Sequence, residues 1–270
     1  MPPSTFTPYL AVHDGAAAIA FYVAALDATE VMRIVGDDDR VGHAELAIGG
    51  VRLYLSDEYP ELGVASPRTL GGTSLTLHLE VDDVDAAFAR AVDSGASALA
   101  GPADQPHGAR HGTLLDPFGH RWMLSQQIET LDHETLGQRM AEAGFATTVD
   151  AADTSGAPAA GGGIWAAINA ADAPAMIRFM VEVLGFAEQL VVPAAEPEVI
   201  EHSQLVWPEG GVVQVGSAGR AGNPFSQRPT GTGSLYVITA DPATVHRRCV
   251  DAGIEVLSEP AAPDYDPGGL

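Results

Sequence analysis

Internal repetition limits this chain more than any other feature. Shifting the 270 residues by 158 places lays Ile19 on Ile177, Phe21 on Phe179, Leu26 on Leu184 and Glu30 on Glu188. The same shift lays Arg90, Val92, Asp93, Gly95 and Pro102 on Arg248, Val250, Asp251, Gly253 and Pro260, with a single slip near His43 and His202. One register held over so long a span means two homologous halves. A shorter repeat lies inside the first half: "LAVHDGAAAIAFYVAAL" and "LEVDDVDAAFARAVDSG" begin about 69 residues apart, at Leu10 and Leu79. Both read as apolar alternation, an acidic turn and an Ala-rich helix. The second helix has Asp near its start, apolar residues at Val84, Ala87, Phe88, Ala91 and Val92, and Gly95 at its end.

Three strand-like runs follow each helix. They are "ATEVMRIV", "GHAELAIGG" and "VRLYLSDE" in the first unit, then "ASALAGP", "HGTLLDP" and "HRWMLSQ" in the second. Each unit therefore reads βαβββ, and two make a domain over residues 1–128. Residues 129–162 hold a helix from about Glu134 to Ala143, then an Ala/Gly/Thr/Ser/Asp/Pro stretch with the composition of a linker. The second domain, 163–270, offers a third βαβββ unit and a fourth that reaches the strand "IEVLSEP". The same offset places Leu270 on Gly112, so counterparts of Thr113 to Gln126 are not in the sequence. The expected fold class is α+β, with two tandem-module domains and the second short of its last two strands. Such a domain exposes a sheet edge for a partner or the other domain to cover.

Composition removes several function classes. All 13 basic residues are arginine, so neither Schiff-base chemistry nor a phosphate-loop lysine is open to the chain. A formal charge of −23 repels phosphate backbones, which argues against nucleic acid as a partner. Abundant Ala, Gly, Asp and Arg also read as the coding bias of a high-GC bacterium. No apolar run reaches the length of a membrane span, and "MPPSTFTPYL" does not look like a signal peptide. The lone Cys249 fits a structural thiol in a reducing compartment, so a cytoplasmic protein is expected.

Four βαβββ units, with "FTPYLAVHDGAAAIAFYVAAL" at the front and "DPFGHRW" closing the first pair, resemble the vicinal oxygen chelate superfamily. That superfamily holds glyoxalase I, extradiol dioxygenases, and fosfomycin and bleomycin resistance proteins. The first half is most similar to its PhnB-type branch, including the "DHETLGQRMAEA" helix. The resemblance implies paired modules enclosing a concave sheet face, and a divalent metal held by His and Glu at four inward positions.

Aligned on the family pattern, those positions hold Thr7, Glu45, Thr76 and Met123. Threonine and methionine are poor ligands for hard cations, so the family-type metal site is expected to be missing. Strand parity puts His43 beside Glu45 and His78 beside Thr76, which leaves His43, Glu45 and His78 as a shifted two-His, one-carboxylate set. Such a set would take Zn, Ni, Mn or Fe. Without metal, Glu45 is the candidate general base or cation-binding group. Tyr9 and Arg121 complete the expected ligand contacts, while His120 and Trp122 point away. His107 and His111 read as exposed loop residues. The equivalent positions in the second half are Trp165, Gln204 and Ser234, and His202 repeats His43 next to an amide, so no metal is expected there.

Three functions fit these residues. One is a protein that sequesters a small molecule, aromatic or cationic, in an intramolecular or homodimeric cleft. Another is a metal-dependent lyase, isomerase or dioxygenase using Glu45 with His43 or His78. The third is an inert domain pair serving assembly or regulation.

Overall fold

The computed structural model describes residues 6–143, 164–194, 196, 198–208, 211–220, 226, 234–237, 239 and 241–256. The first unit runs β1 (Phe6–Val12), α1 (Gly15–Leu26), β2 (Thr29–Val35), β3 (Val41–Ile48) and β4 (Val51–Asp57). A short α2 (Pro67–Leu70) leads into β5 (Leu75–Glu80), α3 (Val84–Asp93), β6 (Ser97–Asp104), β7 (Ala109–Leu115) and β8 (Arg121–Gln127). After α4 (His133–Glu142) the third unit is β9 (Ile164–Ala170), α5 (Ala173–Arg178), β10 (Ala187–Pro193), β11 (Ile200–Val206) and β12 (Val212–Ser217). The α5 helix continues as a π-helical turn over Phe179–Leu184. A fourth first strand and helix follow, β13 (Ser234–Val237) and α6 (Pro242–Asp251). Of the expected strand "IEVLSEP", residues 254–256 carry no strand and 257–260 lie outside the described residues. No helix among the described residues is long and apolar enough to cross a membrane.

The repeat extends to the helix starts. Asp14 and Asp172, 158 places apart, accept from the N–H groups of Ala17 and Ala175 at 2.9 Å. Asp83 and Asp241, again 158 apart, do the same for Ala86 at 2.9 Å and Thr244 at 3.0 Å. Each carboxylate satisfies a backbone donor that the first turn leaves open. Helical spacing then turns Ala18, Ile19, Tyr22, Ala25 and Leu26 of α1 inward against β3 and β4. In the second unit α3 packs on β6, β7 and β8, with Val84, Ala87 and Ala91 buried. The helix-facing sides of the strands form the apolar core, and their opposite sides are left for polar residues.

Inside each of the first three units the first strand runs parallel to the last: β1 with β4, β5 with β8 and β9 with β12. The other edge of each first strand needs a partner too, and that partner comes from the opposite half of the chain. β5 pairs antiparallel with β9, setting Thr76 opposite Ala167 and His78 opposite Trp165. β1 pairs antiparallel with β13, setting Thr7 opposite Tyr236. The result is a five-stranded sheet, β13-β1-β4-β3-β2, and an eight-stranded sheet, β10-β11-β12-β9-β5-β8-β7-β6. The first two units were expected to share one concave sheet. Instead they meet side by side through α1 and α3, where Arg90 Nε donates to the Ala25 carbonyl at 3.1 Å.

The turn "DPFGHRW" locks that side-by-side contact. The buried carboxylate of Asp116 accepts from the Tyr22 hydroxyl of α1 at 2.6 Å and from Trp122 Nε1 at 3.0 Å. It also accepts from the backbone N–H groups of Phe118 and His120, each at 2.9 Å. Gly119 turns with φ +91°, and a Cβ there would lie 2.9 Å from the Cβ of Pro67, so glycine is required on both counts. Removing the acceptor would strand several buried donors. Asp116→Ala is expected to cost about 3–5 kcal/mol, with Asp116→Asn costing less. Urea denaturation checks this, and a loss within about 1 kcal/mol would contradict the bridging role.

Candidate functional site

The inward face of the eight-stranded sheet carries a half-open cavity of about 120 Å³. Both halves of the chain line it. Thr76 and His78 of β5 and Arg121 and Met123 of β8 come from the first half. Asn169 of β9, His202 of β11, Gln214 of β12 and Arg220 beyond β12 come from the second. The cavity exists because of small residues between the arms: Ala167 lies beside Thr76 and Gln214, and Gly216 beside Asn169.

Two guanidinium groups shape the cavity. Arg121 is 4% exposed, and its Nη1 donates to the Thr76 hydroxyl at 2.7 Å. Arg220 is anchored by carbonyls, donating from Nη1 to Glu201 at 2.7 Å and from Nε to Ser217 at 3.0 Å. A Cβ on Gly216 would lie 3.3 Å from Arg220 Nη2, so the glycine makes room for the guanidinium. Burial makes Arg220 release its proton more readily than an exposed arginine, with the Glu201 charge opposing that effect.

Histidines gather next to the arginines. The His78 and His111 rings are 5.9 Å apart, His111 and His107 are 4.9 Å apart, and the Nε2 atoms of the latter pair share a 3.2 Å contact. Burial, then the fields of His111, His107 and His202, lowers the pKa of His78 to about 3. Burial and His107 lower His111 to about 4, and burial with the fields of His107 and Arg220 lowers His202 to about 4. His107 is lowered by burial. His202, from β11, is near enough to His107 in the β6–β7 hairpin to feel its field. At neutral pH these imidazoles are uncharged hydrogen-bonding groups.

The residues singled out from sequence fall on two sheets. Thr76, His78, Arg121 and Met123 line the cavity. Thr7, Tyr9, His43 and Glu45 belong to the five-stranded sheet. There Tyr9 Oη and His43 Nδ1 share a 2.8 Å hydrogen bond, and Glu45 lies 3.7 Å from His43 Nε2 and 3.4 Å from Arg52 Nη1. Parity holds within strands, since His43 and Glu45 share a side and Trp122 turns into the core at 0% exposure. His120 donates from Nε2 to the Ala11 carbonyl at 3.0 Å. The set His43, Glu45 and His78 is not brought together, because β5 joins β9 rather than the first unit's sheet. His107 and His111 are not simple loop residues: His111 lies in β7 and both stand in the histidine row. Trp165 and Ser234 take part in strand pairing, but their side chains lie outside the described residues. Arg220, Asn169 and Gln214 carried no family signature. The alternation of "VVQVGS" places Gln214 and Gly216 on one face, but nothing in it points to β5.

A divalent metal at the family positions does not suit the residues here. Thr76 and Met123 are weak donors, and the Thr76 hydroxyl already receives the cationic Arg121. Among the described residues, no group of three or more His, Cys, Asp or Glu side chains is arranged to hold a metal ion.

The depressed histidine pKa values predict acid sensitivity. The unfolded chain binds protons near the ordinary value of 6.5, while the folded chain resists until about pH 3–4. Unfolding therefore takes up protons in that window, and stability falls as pH drops from about 6.5 towards 4. Between pH 6 and 5, where carboxylates stay ionised, His78→Asn is expected to flatten the decline by up to about 1.4 kcal/mol per pH unit. Chemical denaturation of both proteins at several pH values checks this, and identical slopes would refute it.

Comparison with known proteins places the chain. A family model, the Glyoxalase/Bleomycin resistance protein/Dioxygenase superfamily, matches residues 5–124. An uncharacterised protein of Mycobacterium bovis is 41% identical over 141 residues, 51% of this chain and 93% of the relative. An uncharacterised protein of Mycobacterium tuberculosis is 41% identical over 141 residues, 51% of this chain and 83% of that one. Among solved structures, TioX from Micromonospora sp. ML1 is 26% identical, with a TM-score of 0.38 over 46% of this chain and 98% of its own. A glyoxalase I mutant from Zea mays is 16% identical, with a TM-score of 0.39 over 80% of this chain and 94% of that one. By sequence, residues 5–124 belong to the glyoxalase/bleomycin resistance protein/dioxygenase superfamily, the vicinal oxygen chelate proteins.

Proposed function

We propose that this protein binds a small organic molecule in the cavity of the eight-stranded sheet, without a divalent metal at the family positions. The cavity itself carries this reading: it is concave, lined by side chains from both halves, and floored by Ala167 and Gly216. Convergent polar groups in a concave space are what small-molecule recognition requires. Its volume of about 120 Å³ favours a compact ligand over a drug-sized one, which needs about 300 Å³ or more. The Tyr9, His43 and Glu45 cluster lies on the five-stranded sheet, where Tyr9 bonds to His43 and Glu45 lies 3.4 Å from Arg52.

A cavity-filling variant tests the reading. Ala167→Leu is expected to abolish the melting-temperature rise that small-molecule ligands give the unaltered protein, while the substituted chain stays folded. Glu45→Gln is expected to bind as the unaltered protein does. Loss of binding in Glu45→Gln with retention in Ala167→Leu would move the site to the five-stranded sheet. Elemental analysis of the purified protein is expected to find well under one equivalent of zinc, nickel, manganese or iron. A stoichiometric metal would favour metal-dependent catalysis instead.

A further inference from the structure

We infer that the ligand is a small anion, a carboxylate or similar oxyanion, gripped between Arg121 and Arg220. This rests on the cavity being the binding site. In a chain of formal charge −23, the lining of this cavity runs against the overall balance. Among the described residues that line it are two guanidinium groups, Arg121 and Arg220, and one carboxylate residue, Glu201, one positive charge in excess. The two imidazoles in the lining, His78 and His202, are neutral at neutral pH and leave that count unchanged.

The placement of the two arginines is specific. Arg121 enters from β8 and rests on Thr76 of β5; Arg220 enters from beyond β12 and rests over Gly216. Ala167 on β9 occupies the sheet row between Thr76 and Gln214, and its methyl leaves the space between the arms unfilled. Thr76 Oγ1 accepts from Arg121, and the Glu201 and Ser217 carbonyls accept from Arg220, so each fork has fixed anchor points. Planar forks fixed in this way suit an oxyanion, which accepts paired charge-assisted hydrogen bonds. Arg121, at 4% exposure, is held away from water at a cost, and an anion beside it offsets part of that cost. The neutral His78 and His202, with Asn169 and Gln214, supply further hydrogen bonds to the rest of the molecule. Size narrows the class: about 120 Å³ equals the liquid share of about four waters, enough for a short carboxylate.

Calorimetry at fixed ionic strength tests this with acetate, pyruvate and inorganic phosphate against the neutral acetamide and propionamide. At least one anion is expected to bind ten or more times more tightly than either amide. Arg220→Met is expected to weaken that anion at least tenfold while melting near the unaltered protein. Arg121→Lys, which keeps the charge but loses the fork, serves as the second variant because Arg121 is the more buried of the two. Amides binding as tightly as the anions, or anion binding that survives Arg220→Met, would overturn the inference. Ala167→Leu separates the two readings. If it blocks an amide while no anion binds, the cavity stands and the anion falls. If anions bind it unchanged, or no probe binds the unaltered protein, both fall.

Discussion

The antiparallel seam between β5 and β9 is the contact on which the rest of the site depends. Five consecutive residue pairs, from Leu75 opposite Ile168 to Leu79 opposite Ile164, join the second unit to the third. A first strand in this architecture has one edge filled by the last strand of its own unit and another edge still open. Open edges carry rows of backbone donors and acceptors that must be satisfied, by protein or by water. Filling them from the opposite half turns two separate four-stranded units into one sheet. Without the seam, Thr76 and Arg121 would not face Asn169 and Arg220, and no cavity would lie between them.

The first two units then need another means of attachment, and the chain supplies a polar one. Asp116 reaches from the β7–β8 turn to Tyr22 on α1 while holding its own turn and Trp122. A carboxylate this deeply buried is tolerable because four donors surround it. Burial and the neighbouring Asp116 push the Tyr22 hydroxyl well above its ordinary pKa, so it remains a donor at any working pH. The stretch "DPFGHRW" is thus an architectural clamp whose next strand delivers Arg121 to the cavity.

Electrostatics divides the molecule into an acidic whole and a locally cationic interior. A formal charge of −23 favours solubility, whereas the cavity lining presents the guanidinium groups of Arg121 and Arg220. Acidic helix caps such as Asp14 and Asp83 account for part of the negative charge and bind backbone N–H groups.

Much was legible in the sequence because it is written in local periodicity. The repeat at 158 places predicted the units, aspartates marked the helix starts, and alternation separated Arg121 and Met123 from His120 and Trp122. Thr76, His78, Arg121 and Met123 could be named because each lies on a regular strand at a known parity. The grouping of these residues with Tyr9, His43 and Glu45 was not legible. Backbone hydrogen bonds are the same for every strand, so a sequence shows that an edge is open without showing which strand fills it. Arg220 escaped for a related reason: it follows β12 in a turn with no period, and only the fold brings it to the cavity that Arg121 also lines. Sequence alone thus determined the modules, their caps and the inward residues of each strand, which are consequences of nearest-neighbour geometry. Tertiary structure decided which modules face each other, and with that the residues around the cavity, because strand pairing over long separations is chosen by the packing of the whole chain.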